Sequence, residues 1–269
     1  MDTNNSIFWN ELCGSSMAKH LGINDFSQES LKKFDDYYFN FYPYLNKYIN
    51  FDKLSKKNVL EIGLGYGSVS QKIAEAGAYY TGLDISPGPV NMVRHRFEQI
   101  KYNGHVLEGS ILSPHLEKNQ FDYIFAIGCL HHTGNLKLAI DNCYSMLKDG
   151  GTFVFMVYYA YSYRRLFQHP LSSLKYLLFE MRGGTGSIGL DSSSERATYD
   201  ANSKGCAAPI TDVVSKKSIL RMCQEFRDIN MELENITRDF PFLIFSRDFL
   251  MKTPISRIAG LDVYVTAIK

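Results

Sequence analysis

The sequence lacks an excess of either charge, since its 269 residues carry 29 Lys and Arg against 28 Asp and Glu. A chain without surplus positive charge has no general attraction to the phosphates of nucleic acids or to anionic lipids. We therefore expect neither a nucleic acid nor a membrane as a partner. The one dense basic stretch, residues 163–165, is more typical of a solvated helix start than of a nucleic-acid contact.

Paired cysteines, a leader peptide and long apolar runs are also missing. The five cysteines are scattered, with no CxxC pair and no histidine at zinc-finger spacing. The first ten residues, MDTNNSIFWN, contain neither a basic start nor an apolar stretch, and no later apolar run is long enough to span a bilayer. These absences predict a reduced, unsecreted, cytoplasmic protein, and they leave the oligomeric state open.

Alternating strand and helix patterns fill the middle of the chain. Short apolar runs predict strands at NVLEIG, AYYTGLDIS, HVLEG, FDYIFAIG and TFVFMVYY. Segments with helical periodicity lie between most of them, and glycines close these segments. This alternation predicts an α/β fold with a doubly wound, mostly parallel sheet and helices on both faces.

The two ends of this pattern carry additional segments. Residues 1–52 mix charges and aromatic rings at helical spacing as far as Pro43, which predicts an N-terminal helical cap on an α/β domain at 53–269. An insert at about 160–212 follows the fifth strand, and its part 182–212 is rich in Gly, Ser and Ala. A loop of this length inside a domain is functional or disordered, so we expect a mobile lid. A helix and two strands complete the chain.

A glycine-rich turn follows the first predicted strand. Gly63, Gly65 and Gly67 permit a sharp bend and a close approach to a ligand, while the next helix start offers free N–H groups. The dinucleotide fingerprint GxGxxG requires its third glycine at the position of Ser68, which disfavours NAD, and no GK[ST] sequence of a phosphate loop follows. Asp84 ends the second strand, where nucleoside-binding folds place a carboxylate on the ribose; the alternative is an ordinary helix cap.

Four ordered motifs, VLEIGLGYGS, TGLDIS, FDYIFAIGCLHHTGN and LKDGGTFVF, resemble the class I S-adenosylmethionine-dependent methyltransferases over about residues 55–160. The resemblance implies a Rossmann-like, seven-stranded sheet whose last strand is antiparallel, with S-adenosylmethionine as cofactor across the carboxyl ends of the early strands. It further implies that Asp84 holds the ribose, that Glu61, Gly63 and Gly65 lie under the methionine part of the cofactor, and that the backbone near Gly128 and Cys129 flanks it. Gly67, in the same turn, is also a predicted cofactor-binding residue.

The adenine contact departs from that pattern. Many relatives place an acidic residue after the third strand, whereas this sequence has Ser110 there. Either the Ser110 hydroxyl or a backbone carbonyl accepts the adenine amino group in this interpretation.

Residues just beyond the fourth and fifth strands are expected to contact the methyl acceptor, because ligands bind at the carboxyl ends of parallel strands. His131, His132 and Tyr158 are the candidate catalytic residues, since a neutral imidazole accepts a proton near pH 7. A packing role for the histidines is the alternative. We expect no metal site, because no acidic residue or cysteine stands near them at ligand spacing.

The tyrosine-rich segment after the fifth strand is the candidate substrate contact. It provides Tyr159, Tyr161, Tyr163 and Arg164, which equally suit packing beneath a lid. A second aromatic cluster, residues 34–44, is more typical of a helix packing face. The function expected is direct, in-line transfer of the methyl group of S-adenosylmethionine to a small molecule. The alternatives are a nucleoside-binding regulatory protein and an NAD-dependent oxidoreductase.

Overall fold

The computed structural model describes residues 2–239 and 241–269. Its central feature is a single twisted sheet, to which all nine strands of the described residues contribute. These strands are β1 (Asn58–Ile62), β2 (Tyr79–Asp84), β3 (His105–Glu108), β4 (Phe121–Ile127), β5 (Leu147–Tyr159), β6 (Ile188–Gly189), β7 (Asp212–Val214), β8 (Arg227–Glu234) and β9 (Asp262–Ile268).

Thirteen α-helices surround this sheet within the described residues. They are α1 (Asp2–Trp9), α2 (Ser15–His20), α3 (Gln28–Phe41), α4 (Leu45–Tyr48), α5 (Ser68–Glu75), α6 (Pro87–Gln99), α7 (Leu136–Met146), α8 (Tyr163–Gln168), α9 (Pro170–Met181), α10 (Ser193–Ala197), α11 (Lys216–Met222), α12 (Arg247–Lys252) and α13 (Ile255–Ala259). Single 3-10 turns occur at Phe51–Lys53 and Leu130–His132. None of these helices is long and apolar enough to cross a membrane.

The main body of the sheet has the strand order β3-β2-β1-β4-β5-β9-β8. Strands β1 to β5 are parallel, and β9 runs antiparallel to both of its neighbours. One face packs against α5 and α6, and the other against α7 and α11. The predicted Rossmann-like, mostly parallel sheet with an antiparallel last strand is therefore confirmed.

Two additional strands correct the predicted strand count. The short antiparallel pair β6 and β7 joins the end of β5 through Tyr158 and Tyr159. Because β9 occupies one edge of β5 at Tyr158, β7 pairs along the other edge, just beyond the end of β4. Val213 and Val214 are fully buried there, and burial of these β-branched side chains stabilises a short strand that begins at the last residue of the predicted loop 182–212.

The segment 182–212, here called the strap, is folded rather than a simple loop. It contains β6, α10 and a bridge between Ala201 and Ala207. Glu195 of α10 is buried against the guanidinium of Arg165, and the strap reaches the N-terminal region where Ser203 donates two hydrogen bonds, of 2.8 and 2.9 Å, to Glu11. Whether the strap opens as a lid stays a prediction.

The N-terminal helices pack onto the sheet domain through a buried charge pair. Arg96 of α6 is fully buried and donates hydrogen bonds of 2.8 and 2.9 Å to Asp35 of α3. The same guanidinium donates to the carbonyl of Tyr66 in the glycine-rich turn. Arg96 therefore connects α3 of the predicted cap, α6 and the glycine-rich turn.

Candidate functional site

A cavity opens at the carboxyl ends of β1, β2 and β4. Its walls combine the glycine-rich turn, the ends of three strands and the N-terminal helices. They include Glu61, Gly63, Gly65, Gly67, Asp84, Ser110, Gly128, Cys129, His132 and, from the N-terminal region, Asn5, Trp9, Cys13, Phe34 and Tyr38. All eight predicted cofactor residues thus lie on one surface, as expected for ligand binding at the carboxyl ends of parallel strands.

The glycine-rich turn depends on left-handed backbone at three positions. Gly63, Gly65 and Gly67 have φ values of +77°, +52° and +78°, which glycine adopts without steric cost. A Cβ at Gly63 would lie 2.5 Å from the Cβ of Cys129, so this turn also packs closely on the loop that follows β4. The turn therefore exposes backbone to the cavity while holding two of its walls together.

Asp84 lies at the end of β2 with its side chain 7% exposed. Its carboxylate accepts hydrogen bonds from the backbone N–H groups of Leu64, at 2.7 Å, and Ser86, at 2.9 Å. Burial raises the pKa of this carboxyl to about 6, against the lowering effect of the backbone N–H groups. Each carboxylate oxygen can accept a further bond, so Asp84 suits a ligand hydroxyl group.

Glu61 lies beneath the turn, in β1. Its carboxylate accepts hydrogen bonds from the hydroxyls of Ser70, at 2.6 Å, and Tyr80, at 2.7 Å. Burial raises the pKa of Glu61 to about 7, although both hydroxyl bonds lower it. The residue connects β1, β2 and α5 from below and contributes to the cavity wall.

The loops after β3 and β4 complete the predicted cofactor surface. The Ser110 hydroxyl accepts a bond of 3.2 Å from the backbone N–H of Leu112, which leaves the hydroxyl proton available to a ligand. Gly128 has a φ of +82°. The Cys129 thiol donates to the carbonyl of Ile62 at 3.0 Å, and burial raises its pKa well above the usual value, so it is a neutral wall group.

His132 lies at the far end of the cavity, next to two residues of α1. Its ring centroid is 4.6 Å from that of Trp9, and its backbone carbonyl accepts a bond of 2.7 Å from the Asn5 amide. The ring Nδ1 is 2.6 Å from the carbonyl of Ile210 in the strap, and Nε2 is 3.3 Å from the carboxylate of Asp200. His132 is therefore held from both sides by chain segments distant in sequence.

His131 and Tyr158, the other candidate catalytic residues, do not line the cavity. The His131 ring is fully buried and packs against Tyr158 with ring centroids 4.0 Å apart and planes tilted by 42°, and burial holds its pKa well below the usual value. The Tyr158 hydroxyl donates to Asp200 at 2.7 Å. This geometry favours the packing interpretation for His131 and places Tyr158 as a support of Asp200.

The four predicted substrate residues also lie away from the cavity wall. Tyr163 and Arg164 are buried and contact Asp239, while the Tyr161 hydroxyl donates to Glu180 at 2.6 Å. Tyr159 packs at the edge of the main core. The solvated interpretation of residues 163–165 is wrong, because both arginines are buried and paired, Arg164 with the partly exposed Asp239 and Arg165 with the buried Glu195.

Sequence reasoning missed three residues of this end of the site. In the sequence, Asn5 and Trp9 belong to a stretch that is notable only for lacking the features of a leader peptide, and Asp200 lies in a predicted polar loop. Asp200 completes a group with His131 and His132 whose possible metal-ligating atoms all lie within 4.8 Å of one another. The expectation that no acidic residue lies near the two histidines is therefore wrong, because the fold brings Asp200 to them.

The fold and this cavity match one class of protein, the class I S-adenosylmethionine-dependent methyltransferases, whose cofactor is S-adenosylmethionine. Residues 60–153, about a third of the chain, match the family described as a methyltransferase domain.

Curated relatives include ubiquinone biosynthesis O-methyltransferases. That of Coxiella burnetii is 30% identical over 102 residues, which cover 38% of this chain and 44% of that protein, and that of Shewanella halifaxensis is 33% identical over 37% of this chain and 42% of that protein. The chain thus matches less than half the length of these relatives.

Solved structures share the fold over most of the chain. An S-adenosylmethionine-dependent methyltransferase from Mesorhizobium loti superposes with a TM-score of 0.56 at 14% identity, covering 85% of this chain and 97% of that one. One from Archaeoglobus fulgidus gives 0.52 at 16% identity, covering 84% and 92%. At such low identity these neighbours show the fold alone.

Proposed function

We propose that this protein transfers the methyl group of S-adenosylmethionine to a small-molecule acceptor by direct, in-line displacement. One observation carries the proposal: a single cavity runs from the nucleoside-type groups, the glycine-rich turn and Asp84, to a polar end that holds His132. A methyl donor and an acceptor bound at these two ends would meet inside one cavity, which is the arrangement that proximity catalysis requires.

The residues present fit the cofactor. The turn offers backbone where any Cβ would be strained, and the Asp84 carboxylate has capacity for the ribose hydroxyls. Ser110 would contact the adenine side, whereas Gly128 and Cys129 would flank the methionine side. When bound, the cofactor supplies an electrophilic methyl group on a sulfonium ion.

The chain itself has to orient the acceptor, exclude water and accept a proton where the acceptor carries one. His132 is the proposed base, because it is the candidate histidine that lines the cavity. The N-terminal segment, residues 1–52, is proposed as a cap: Asn5, Trp9, Phe34 and Tyr38 contribute to the cavity wall. Covering the cavity in this way keeps water from the transferring methyl group.

A small acceptor suits the site better than a nucleic acid. The net charge is +1, and the two arginines of the basic stretch pair with Asp239 and Glu195 inside the fold. The curated relatives, named as ubiquinone biosynthesis O-methyltransferases, also support a small acceptor with a nucleophilic oxygen.

Thermal denaturation in the presence of ligands distinguishes the proposal from the two alternatives. We expect S-adenosylhomocysteine to raise the melting temperature in a concentration-dependent manner and NAD to leave it unchanged. Stabilisation by NAD alone would instead establish the oxidoreductase. Incubation with labelled S-adenosylmethionine and a metabolite extract then separates an enzyme from a regulatory binding protein, because only the enzyme forms a labelled product.

The lid hypothesis for the strap has its own test. The exposed bonds between Ser203 and Glu11 connect the strap to the N-terminal region, so opening would break them. Limited proteolysis should cut the strap of the free protein and be slowed by cofactor and acceptor together. Equal cutting rates in both states would make the strap a static wall.

A further inference from the structure

Helix α9 turns its apolar side toward solvent. Large side chains at helical spacing lie along one face of this helix: Leu171, Leu174, Leu178 and Met181. All of them are exposed, and Leu171 and Met181 are 74% and 73% exposed. Because a helix on the surface of a globular domain usually buries such a stripe against the core, the orientation of α9 is the reverse of the usual one.

Polar groups hold the opposite face of α9 to the rest of the protein. Glu180 is buried, and its carboxylate accepts hydrogen bonds from the hydroxyls of Tyr161, at 2.6 Å, and Ser218, at 3.0 Å. The buried Tyr176 hydroxyl accepts a bond of 3.1 Å from the backbone N–H of Ser215. These bonds fix the rotation of α9 about its axis, so its apolar side cannot turn inward without leaving buried polar groups unpaired.

Neighbouring helices extend the exposed apolar area. Leu166 of α8 is exposed just before α9 begins, and Leu220 of α11 is exposed where α11 packs along α9 through Ser218. The exposed side of α9, together with Leu166 and Leu220, is here called the α9 surface. Apolar groups that lie next to one another on a protein surface are typical of a binding surface, whereas single exposed leucines are not.

The charges around the α9 surface are of one sign. Its exposed cations come from α9, the residue that follows it and α11: Lys175, Arg182, Lys217 and Arg221. All residues of α8, α9 and α11 are described, and their one acidic residue is the buried Glu180. Asp239 and Glu195, which contact α8 from other segments, pair with its buried arginines. The positive charge of this surface is therefore not neutralised locally, although the net charge of the chain is only +1.

We propose that the α9 surface binds the surface of a membrane that contains anionic phospholipids. Leucine side chains enter the boundary between head groups and acyl chains, while lysine and arginine lie at the level of the phosphates. The expectation of no membrane partner used the charge of the whole chain, which does not register a local excess.

Charge and shape favour a bilayer over a second copy of the chain. A symmetric pair of α9 surfaces would bring the cations of one copy near those of the other, with no exposed carboxylate on these helices to separate them. Leu171 and Met181 project from the surface, and a fluid bilayer closes around projecting side chains without a preformed pocket.

Co-sedimentation of the full chain with lipid vesicles tests the proposal. Vesicles of equal parts phosphatidylcholine and phosphatidylglycerol supply the anionic surface, and vesicles of phosphatidylcholine alone are the reference. We expect at least about tenfold tighter binding to the mixed vesicles at low salt, and weaker binding as salt is added. No binding to the mixed vesicles, or equal binding to both kinds, would overturn the proposal. The assay contains no cofactor, so either result leaves the proposed methyl transfer standing.

A substitution on the apolar stripe tests where the lipid binds. Leu171→Gln should weaken binding to the mixed vesicles about tenfold or more, because it removes one fully inserted leucine. Ile7→Gln is the matched control, since Ile7 is 71% exposed on α1, and it should bind as the wild type does. Both residues are exposed, so the melting temperatures should stay unchanged. Undiminished binding of Leu171→Gln would assign the lipid contact to another surface and refute the proposal.

A change of charge tests the anionic component. Lys175→Gln combined with Arg182→Gln should weaken binding to the mixed vesicles at least about tenfold. Lys53→Gln combined with Lys118→Gln removes the same charge from exposed positions outside the α9 surface and should have little effect. Equal losses in the two double variants would show attraction by net charge alone and contradict the assigned surface.

Sedimentation velocity without vesicles examines the second copy. We expect the wild type and Leu171→Gln to sediment alike. A wild-type dimer that Leu171→Gln dissociates would assign the α9 surface to contacts between copies and overturn the membrane proposal.

Discussion

Cofactor affinity should depend on pH through Asp84. Its carboxyl is buried, which raises its pKa to about 6 in the free protein. Ribose hydroxyls donate hydrogen bonds, and a carboxylate accepts them more strongly than a neutral carboxyl does. With Asp84 as the proposed ribose contact, bound cofactor favours the ionised form, and we expect the affinity to fall as the pH drops through the pKa of the free protein.

The size of the effect follows from the ionised fraction. With a pKa of about 6, roughly a tenth of Asp84 is ionised at about pH 5 and nearly all of it at about pH 7.5. If the ionised form alone binds, the Kd of S-adenosylhomocysteine is about tenfold higher at the lower pH, which is a difference of about 1.4 kcal/mol.

Calorimetric titration with S-adenosylhomocysteine between about pH 5 and pH 7.5 measures this change. Asp84→Asn should bind more weakly and lose most of the pH dependence, since an amide does not titrate. Glu61→Gln is the second control, because Glu61 is the other buried carboxyl in the cavity wall that titrates near this pH range. Burial raises its pKa to about 7, which is above that of Asp84. A wild-type Kd that is constant over this range, or a tenfold change retained in Asp84→Asn, would refute the reasoning.

Two further predictions concern the scaffold of the site. Asp35→Ala should lower the free energy of unfolding in urea by about 2–3 kcal/mol, because it leaves the buried guanidinium of Arg96 without a carboxylate partner. The control Asp36→Ala, on the exposed side of the same helix, should change this free energy by less than about 0.5 kcal/mol. Equal losses would contradict this role of the pair. Gly63→Ala should lower the free energy of unfolding by about 2 kcal/mol or more and weaken S-adenosylhomocysteine binding. The new Cβ is strained by the positive φ of this residue and also meets the side chain of Cys129. Gly22→Ala, at a φ of +67° with open space around it, measures the strain alone and should cost about 1 kcal/mol.

Local signals in the sequence were sufficient for the sheet and the cofactor surface. Parallel strands place the residues at their carboxyl ends along one edge, so the turn after β1, Asp84 after β2 and Cys129 after β4 converge wherever this topology forms. The strap shows the opposite case. Its composition suggested a loop, yet Glu195 is buried in α10, because the guanidinium of Arg165 provides a partner for it.

The sequence by itself determined the order of strands and helices, the glycine-rich turn and the class of cofactor, since each depends on residues close together in the chain. Only the tertiary structure decided which residues meet at the far end of the cavity. Asn5, His132 and Asp200 are separated by long stretches of chain, and they meet because α1 and the strap fold over the ends of β4 and β5. Contacts of this kind depend on the packing of distant segments, which leaves no periodic or local pattern in the sequence.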